Sequence, residues 1–494
     1  MKNFKVQYFV LTLISGFLLA LTFEKINAFY LAFTAFIPII YISLKNPVRR
    51  TLIYGFFFGI SFWTVSLYWM FPFIKYNTDT IQAVIVSVLL WSYLSLYFSL
   101  WAATLSFSRR HFKPIMSCFF ASCSWVTFEF IRTYFLTGFG WNLLGYSQSH
   151  FNYFIQIADL TGVYGVSFII ILINMLLYYW LKDSKEKRFL YAAIIIFVLI
   201  LFYGYARTNK FFDFYGDKLS VGIVQPNIDQ YKKWDEKYSN EILDTIKNNV
   251  EKFTDKNLDI IVYPETSLPG YFGYDEKISE FVRFLSYFGK LNLIGMPDYE
   301  NKLMYNSVFA IKNESAVLAK HNKNHLVVFG EYIPFRKLLS KYFTIFNSLG
   351  DFEKGSEMNV FEYENMRIGA TICSENFFPD LSRSLVSKGA TILTNHTNDG
   401  WFLNTYAPYQ HFVMNIFRAI ENRKNIIVCA NTGISAVISC NGNITAYAGL
   451  NENTALICDA YQNNDISIYD KIGDTFSYFC IFITILFIFL IFII

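Results

Sequence analysis

Long apolar runs are the feature of this sequence that most restricts its fold. The hydrocarbon core of a bilayer is about 30 Å thick, so a helix that crosses it needs about 20 apolar residues. Lipid offers no hydrogen-bond partners, so such runs are expected to form helices. Eight runs approach this length: residues 8–23, 29–44, 51–70, 81–105, 114–131, 163–181, 189–204 and 476–494. We therefore predict a membrane α-helical bundle of about eight transmembrane helices, in line with a hydrophobic content of 54%.

The first two runs leave alternatives open. They are short and closely spaced, so they could form one long broken segment. The first run could also be a cleaved signal peptide, because Lys2 and Lys5 precede it. A cleavage site of small residues is not evident and further apolar runs follow, so we favour a retained helix.

Lysine and arginine are concentrated in alternate loops between the runs, and such an excess marks the cytoplasmic side of a membrane. The basic loops carry Lys2, Lys5, Lys45, Arg49, Arg50, Arg109, Arg110, Lys113, Lys182, Lys185, Lys187 and Arg188. The intervening loops carry little beyond Lys25, Lys75 and Arg132. We expect the N-terminus inside, residues 213–474 outside, and the C-terminus inside again.

The composition changes twice along the chain and predicts three regions. Residues 1–207 form the seven-helix part of the bundle, residues 213–474 form a water-soluble α/β domain, and residues 476–494 form the last transmembrane helix. Short β-rich runs end in polar or Gly/Pro turns at 219–227, 258–267, 292–298, 366–375, 390–399 and 425–433. Helical patterns lie at 277–288 and 408–422, and residues 434–443 are typical of a hairpin, so the sheet structure is expected to be mixed.

The segment 129–151 on the outer side of the bundle is long, aromatic and almost uncharged. Exposure to water would be unfavourable for it, so it is expected in the membrane interface or beneath the outer domain. Glu129 and Arg132 are three residues apart at a helix end and could form an ion pair.

Three strand ends in the outer domain carry reactive side chains. Glu265 follows one strand, Cys373 follows another, and residues 395–399 end a third, while Lys323 and Glu331 lie between the first two. Open α/β sheets collect their chemistry at the carboxyl ends of strands. Taken singly, each of these residues more often has a structural role, since a strand cysteine is usually a small buried hydrophobe.

Together, a thiol, a carboxylate and an ammonium group suffice for acyl transfer. The carboxylate can accept the thiol proton, while the lysine lowers the pKa of the thiol and stabilises an oxyanion. A Cys–His arrangement is the alternative, with His396 or His411, but neither has an Asp or Asn partner at a spacing that the sequence reveals. A G-x-S-x-G serine motif is not present.

The stretches around these residues resemble a known family. "YPETSLPG" with Glu265, "KNHLVVFGEY" with Lys323, and "ICSEN" with Cys373 are similar to the Glu-Lys-Cys triad of the carbon–nitrogen hydrolase (nitrilase) superfamily. Together with "QPNIDQYKKWD", "NHTNDGWF", "PYQHFVMNIFRAIENRK" and the membrane stretches "TGFGWNLLGYSQ" and "TGVYGVSF", they resemble the family of bacterial apolipoprotein N-acyltransferases over nearly the whole chain.

The resemblance implies an extracytoplasmic nitrilase-like α-β-β-α sandwich joined to the helical bundle in the bacterial inner membrane. It implies a two-step (ping-pong) reaction without a cofactor, in which Cys373 takes an acyl chain from a phospholipid as a thioester. The α-amine of the diacylglyceryl-modified N-terminal cysteine of an apolipoprotein then receives it. Glu265 would be the general base, and Lys323 would stabilise the oxyanion with a backbone N–H near Cys373.

The resemblance also implies four supporting or substrate-lining positions. Glu331 and Glu375 match carboxylates next to the triad, and Trp234 matches an aromatic residue lining the path of the substrate. The family commonly has Tyr after the nucleophile, where it would help to wall the acyl pocket, whereas this chain has Ser374.

The sequence favours this function over three alternatives. The main rival is a membrane-bound amidase with the same triad that hydrolyses small amides. A transporter is disfavoured because ionisable residues are almost absent from the apolar runs, and an inert cysteine would require several coincidences. Nothing in the sequence calls for a metal, an organic cofactor or nucleic acid, and one disulfide among Cys429, Cys440 and Cys458 stays open.

Overall fold

A computed structural model describes residues 5–23, 25–109, 111–209, 216–336 and 351–493. The predicted start of the outer domain at Asp213, and Lys2 and Arg110 of the charge pattern, lie outside these residues. The chain divides into two compact units. Met1–Lys210 together with Lys471–Ile494 is here named the helical unit, and Phe211–Asp470 the α/β unit.

The helical unit consists of apolar helices joined by short connections. Its helices are α1 Val6–Ala20, α2 Ile37–Lys45, α3 Val48–Ser66, α4 Met70–Asn77, α5 Thr80–Ser108, α6 Pro114–Tyr134, α7 Asn152–Ile155, α8 Ala158–Lys182, α9 Lys187–Thr208 and, near the end of the chain, α15 Thr475–Ile493. Short 3₁₀ turns occupy Phe29–Phe33 and Leu144–Gln148.

Within the described residues, four helices are long and apolar enough to cross a membrane: α5, α6, α8 and α9. A fifth span exists if α3 and α4 count as one, although the two are bent by 61°. Three further apolar helical stretches, Val6–Ala20, Phe29–Lys45 and the Thr475–Leu490 part of α15, are 10–17 residues long. The predicted membrane bundle is thus confirmed, but its count of eight spans is not, because apolar composition fixes a preference for lipid and leaves open where a helix bends or ends.

Helices α3 and α5 pack closely because small residues line their contact. A Cβ atom at Gly59 would lie 2.8 Å from Ser95 Cα, and one at Gly55 would lie 2.8 Å from Ser99 Cα. The hydroxyl of Ser99 donates to the carbonyl oxygen of Leu52 at 2.7 Å. Small residues let helix backbones approach in membranes, where burial of apolar surface gives little driving force.

The uncharged segment after α6 folds back onto the helical unit. The amide of Leu144 donates to Glu129 Oε1 at 2.6 Å, and Arg132 Nη1 donates to the carbonyl oxygens of Phe139 and Trp141 at 3.1 and 2.7 Å. The two charged side chains therefore hold the backbone of this segment against α6. The i, i+3 spacing of Glu129 and Arg132 predicted a pair but did not predict this role.

The α/β unit contains two six-stranded sheets. Their strands are β1 Lys218–Gln225, β2 Ile260–Val262, β3 Leu291–Glu300, β4 Leu303–Lys312, β5 Ala316–Asn322, β6 Val360–Tyr363, β7 Met366–Ile372, β8 Ile392–Thr397, β9 Ile426–Ala430, β10 Ser435–Ile438, β11 Ile444–Ala448 and β12 Thr454–Tyr461. The strand orders are β12-β1-β2-β3-β4-β5 and β11-β10-β9-β8-β7-β6. Both sheets are mixed, and β10 and β11 form the predicted hairpin.

Helices cover the outer faces of both sheets. They are α10 Ser239–Val250, α11 Glu276–Leu285, α12 Pro379–Ser387 and α13 Ala407–Asn422, and the short helix α14 Ile468–Ile472 follows the last strand. The alternation of strand side chains explains the layers. Val221 and Ile368 point into a core shared by the two sheets, whereas Ile261 and Ile294 pack against α10 and α11. The predicted α-β-β-α sandwich is therefore confirmed.

We predict that the Gly59→Leu substitution destabilises the helical unit. The larger side chain would force α3 and α5 apart, and such overpacking costs about 1–3 kcal/mol. Gly59→Ala should have a smaller effect in the same direction, since its Cβ already lies too close to Ser95. The measurement is the thermal unfolding midpoint of the detergent-purified protein.

The matched control is Ile53→Ala on the same helix, where the side chain is 38% exposed. It should leave the midpoint close to that of the unsubstituted protein. Equal midpoints for Gly59→Leu and Ile53→Ala would contradict the close packing of α3 and α5.

Candidate active site

Three strand ends bring Glu265, Lys323 and Cys373 together. Cys373 directly follows β7, Lys323 directly follows β5, and Glu265 lies three residues after β2. Because β2 and β5 belong to one sheet and β7 to the other, both sheets contribute to the cluster. The charges of Glu265 and Lys323 both act on the Cys373 thiol.

Lys323 lies between two carboxylates. Its Nζ is 2.8 Å from Glu331 Oε1 and 3.5 Å from Glu265 Oε1, and the lysine is only 1% exposed. The amide nitrogen of Asn306, on β4, donates to Glu265 Oε1 at 2.7 Å and to Glu331 Oε1 at 2.9 Å. Asn306 thus fixes the two carboxylates relative to each other, and the sequence reasoning did not single it out.

The surroundings of Lys323 keep it charged. Burial lowers its pKa, but the carboxylates of Glu331 and Glu265 outweigh burial and raise the pKa above its ordinary value. The side chain is therefore an ammonium group throughout the physiological pH range. A fixed cation beside Cys373 can stabilise negative charge that develops on an acyl oxygen.

The resting thiol of Cys373 is protonated. Burial raises its pKa well above the ordinary value, the negative charge of Glu265 raises it further, and the Lys323 ammonium lowers it by less. The lysine acts in the predicted direction, but burial and Glu265 outweigh it. A protonated thiol requires a base at the moment of attack, and the Glu265 carboxylate is the group placed to act as one.

Cys373 has a backbone conformation that is rare for residues other than glycine. Its φ is 49°, in the left-handed region, at the start of the short 3₁₀ turn Cys373–Phe377. Such strained positions occur where the surroundings over-determine them, frequently at functional sites. The sharp change of direction presents the thiol at the end of β7.

Glu375 connects the segment that contains Cys373 to the segment that contains Lys323. Its Oε2 accepts from the amide of Ile372 at 2.7 Å, and its Oε1 accepts from the amide of Asn324 at 2.5 Å. His321 Nε2 lies 3.2 Å from the same carboxylate. Burial raises the pKa of Glu375, but the charge and hydrogen bond of His321 and the two backbone amides outweigh burial and lower it. A buried anion thus ties the residues next to Cys373 and Lys323 together.

Trp234 is half-exposed, and the neighbouring residue Lys233 contacts the segment that carries Glu265. Lys233 is fully buried, and its Nζ donates to the carbonyl oxygen of Glu265 at 3.3 Å and to Thr266 Oγ1 at 3.1 Å. Burial lowers the pKa of Lys233 to about 7. The sequence resemblance identified Trp234 in this stretch but not Lys233.

Gly295 makes room for the segment that carries Glu265. A Cβ atom there would overlap the carbonyl oxygen of Pro264 and lie 2.8 Å from Glu265 Cα. The amide of Ser267 donates to the carbonyl oxygen of Gly295 at 2.7 Å. Glu265 is therefore placed by close contact between the end of β2 and the neighbouring strand β3.

Ser374 is buried, and its hydroxyl has no hydrogen-bond partner among the described residues. Cys429, Cys440 and Cys458 all lie within the described residues, and no disulfide joins any two of them. The described residues contain no group of three or more His, Cys, Asp or Glu side chains that could hold a metal ion.

His411 has the acidic partner that the sequence did not reveal. Its Nδ1 lies 2.7 Å from Asp399 Oδ1, and its Nε2 lies 3.3 Å from the carbonyl oxygen of Cys373. The pair joins α13 to the end of β8, so the spacing along the chain follows no secondary-structure period. The imidazole contacts the backbone of Cys373, which the predicted Cys–His alternative did not include.

Comparisons with known proteins cover both units. A family model described as "Apolipoprotein N-acyltransferase N-terminal domain" matches residues 15–176, and one described as "Carbon-nitrogen hydrolase" matches residues 220–464. The apolipoprotein N-acyltransferase of Geobacter metallireducens is 32% identical over 96% of this chain and 93% of its own length. The protein of the same name from Rickettsia typhi is 30% identical over 92% of this chain and 91% of its own length. Apolipoprotein N-acyltransferase 1 of Treponema denticola is 27% identical over 98% of this chain and 97% of its own length.

We predict that Glu265→Gln makes Cys373 easier to ionise. The substitution removes the negative charge that raises the thiol pKa and leaves the Lys323 ammonium in place, so the pKa should fall. Iodoacetamide should then alkylate Cys373 faster at any given alkaline pH. The measurement is the alkylation rate over a pH series, read by mass spectrometry of the peptide that contains Cys373.

Cys458 on β12 serves as the internal control. Burial and the charge of Asp459 raise its pKa to about 12, and Glu265 is not among the causes. Its alkylation should follow the same pH dependence in both proteins. Slower or unchanged alkylation of Cys373 in Glu265→Gln would contradict the electrostatic coupling of the two side chains.

Proposed function

The chain belongs to the apolipoprotein N-acyltransferase family, and from this membership and the site geometry we propose how it works. It is an acyltransferase that moves a fatty acyl chain from a phospholipid to the α-amine of the diacylglyceryl-modified N-terminal cysteine of an apolipoprotein. Cys373 carries the chain between the two substrates. The observation that carries the assignment of roles is the buried cluster in which Glu265 and Lys323 both act on the Cys373 thiol.

In the first step, Glu265 takes the proton from the Cys373 thiol as the sulfur attacks the ester carbonyl of the phospholipid. The C–S bond forms and the carbonyl oxygen becomes an oxyanion, which the Lys323 ammonium stabilises. The C–O bond then breaks, and Glu265 returns its proton to the departing lysophospholipid oxygen. The enzyme is left with a thioester on Cys373 and an ionised Glu265.

In the second step, the α-amine of the apolipoprotein attacks the thioester carbonyl. Glu265 accepts the proton that the amine loses, and Lys323 again faces the oxyanion. The C–S bond breaks as the amide forms, and Glu265 returns the proton to the thiolate of Cys373. The two half-reactions use the same base and the same cation, which suits a ping-pong sequence.

Four further residues support these roles. Glu331 shares Lys323 with Glu265 and helps to keep it charged. Glu375 braces the backbone next to Cys373 and next to Lys323. Half-exposed Trp234 would line the path of the substrate, and buried Ser374 would leave more room beside the acyl chain than the usual Tyr. Each assignment is part of the proposal.

The chain is a multi-pass membrane protein, and we place its parts as follows. Residues 1–207 and 476–494 lie in the bacterial inner membrane, and residues 213–474 form the catalytic domain on the periplasmic or outer side. The alternation of basic loops supports this orientation. Both substrates have long acyl chains, each worth about 0.8 kcal/mol per CH₂ in lipid, so a membrane-bound enzyme avoids extracting them into water.

We predict that incubation with acyl-labelled phospholipid leaves label on Cys373. Hydroxylamine should remove the label, because it cleaves thioesters, and Cys373→Ala should abolish it. Glu265→Gln should slow labelling by about 10²–10⁴-fold, the usual contribution of a general base. The measurement is the labelled fraction of the Cys373 peptide, followed by release of that label when an apolipoprotein is added.

The same experiment separates the proposal from the amidase alternative. Hydrolysis of a small amide by the unsubstituted protein, with no phospholipid-derived adduct, would favour the amidase. Unchanged acyl transfer in Cys373→Ala would overturn the assignment of the nucleophile. Circular dichroism of Cys373→Ala serves as the control for folding.

We predict that a membrane-impermeant maleimide labels Tyr287→Cys from the outer side of the inner membrane. Tyr287 is exposed on the α/β unit, whereas Lys185 is exposed in a basic loop between α8 and α9. Lys185→Cys should be labelled only after the membrane is disrupted. The measurement is peptide-resolved labelling in cells with a permeabilised outer membrane, and the reverse pattern would refute the orientation.

A further inference from the structure

Both ring nitrogens of His411 face oxygen atoms. Nδ1 faces a carboxylate oxygen of Asp399 at 2.7 Å. Nε2 faces the carbonyl oxygen of Cys373 at 3.3 Å and the side-chain oxygen of Asn376 at 3.1 Å. These oxygens can accept hydrogen bonds, and the Asn376 amide nitrogen donates elsewhere, to the carbonyl oxygen of His411. His411 is thus placed to donate to the carbonyl oxygen of Cys373, with Asp399 at the other side of the ring.

The His411–Asp399 pair is buried and held in place. His411 and Asp399 are 1% and 3% exposed, and Thr397 Oγ1 donates to the same Asp399 oxygen at 3.1 Å. Both ring nitrogens contact oxygen atoms of neighbouring residues, so the orientation of the ring is fixed. His411 is therefore suited to hold the backbone at Cys373 in place.

The carbonyl of Cys373 receives two hydrogen bonds. One comes from His411 Nε2 and the other from the amide nitrogen of Asn395, each at 3.3 Å. A carbonyl oxygen has two lone pairs, so both are used. This carbonyl and the N–H of Ser374 belong to one planar peptide group and point in opposite directions. Fixing the carbonyl therefore fixes the direction of the Ser374 N–H.

The Ser374 N–H is also free of the turn that follows it. It is the second residue of the 3₁₀ turn Cys373–Phe377, and the first N–H groups of such a turn have no acceptor within it. Hydrogen bonds to the carbonyl oxygen polarise the peptide group and strengthen its N–H as a donor. The proposed reaction needs such a backbone donor beside Cys373 to share the oxyanion with Lys323.

We propose that His411, paired with Asp399, is a positioning residue that orients and polarises the peptide between Cys373 and Ser374, so that its N–H stabilises the oxyanion. The inference rests on the proposed function of Cys373 as the acyl carrier. The backbone of Cys373 is strained, with φ of 49°, so the orientation of this peptide depends on contacts from surrounding residues. Asn395 supplies the second support from β8.

The test compares two reactions of the same thiol in His411→Gln. Acylation by labelled phospholipid passes through an oxyanion, whereas alkylation by iodoacetamide is a displacement at a saturated carbon and does not. Loss of one oxyanion donor costs about 10²–10³-fold, so a misoriented donor should slow acylation by about 10- to 100-fold. Alkylation should change little.

A second variant and a matched control accompany it. Asp399→Asn keeps an acceptor for Nδ1 but removes the carboxylate charge that pairs with the ring, so it should slow acylation as well. Because that charge also raises the pKa of the Cys373 thiol, alkylation should not slow in Asp399→Asn. This variant decides the question if His411→Gln does not fold. His396→Gln is the control, because His396 is an equally buried imidazole that contacts Thr394 and the carbonyl oxygen of Tyr263. There, acylation and alkylation should change in parallel.

A spectroscopic readout reports the oxyanion donor directly. Hydrogen bonds to the thioester carbonyl lower its stretching frequency, so ¹³C-edited infrared spectra of the acyl-enzyme should show a higher frequency in His411→Gln and Asp399→Asn. Equal loss of acylation and alkylation, or an unshifted carbonyl band, would overturn the positioning role. If the unsubstituted protein forms no thioester, the proposed function itself fails, and this inference falls with it.

Discussion

A lysine ammonium buried between two carboxylates is the interaction on which the active-site cluster depends. Taking a charge out of water costs several kcal/mol, and only close, hydrogen-bonded counter-charges offset it. Glu265 and Glu331 flank Lys323, and Asn306 donates to both carboxylates. Because these groups must meet within hydrogen-bond distance, the ends of β2, β4 and β5 are held at a fixed spacing. The thiol then lies in a field that the protein sets before any substrate binds.

A second group of buried polar and charged side chains acts on the backbone of Cys373. Glu375 accepts from the amide of Ile372, before Cys373, while the His411–Asp399 pair holds the carbonyl of Cys373 itself. The left-handed conformation of Cys373 is thereby fixed on both sides. In this arrangement the charges of Glu265 and Lys323 set the protonation state of the thiol. Glu375 and the His411–Asp399 pair set the direction of the backbone at Cys373. Acyl transfer needs both, because the proton and the oxyanion appear on different atoms at the same moment.

The sequence predicted the strand ends that carry reactive side chains, but it did not predict most of the residues around them. Cys373 and Glu265 could be identified because each follows an apolar, β-rich run. Strands β4, β5, β6 and β12 were not predicted. In β4 and β5, burial does not alternate along the strand, since residues 306–311 are all buried and residues 316–318 are all exposed. Asn306 was therefore not placed, and Asp399 was not recognised as the partner of His411. Lys233 precedes Trp234 in the sequence, but no local pattern predicts that its side chain is buried against Glu265.

The sequence by itself determined the division into an apolar helical part and an α/β part, the β-rich runs that end at Glu265 and Cys373, and the kinds of groups available for chemistry. Hydropathy and periodicity are local properties, so they can be read from neighbouring residues. Only the tertiary structure decided that the thiol of Cys373 rests protonated, that α3 and α4 bend apart, and that His411 pairs with Asp399. Ionisation and hydrogen bonding depend on burial and on distances of a few ångströms. Those distances join residues far apart in the chain, and they exist only once the two sheets and their helices have packed.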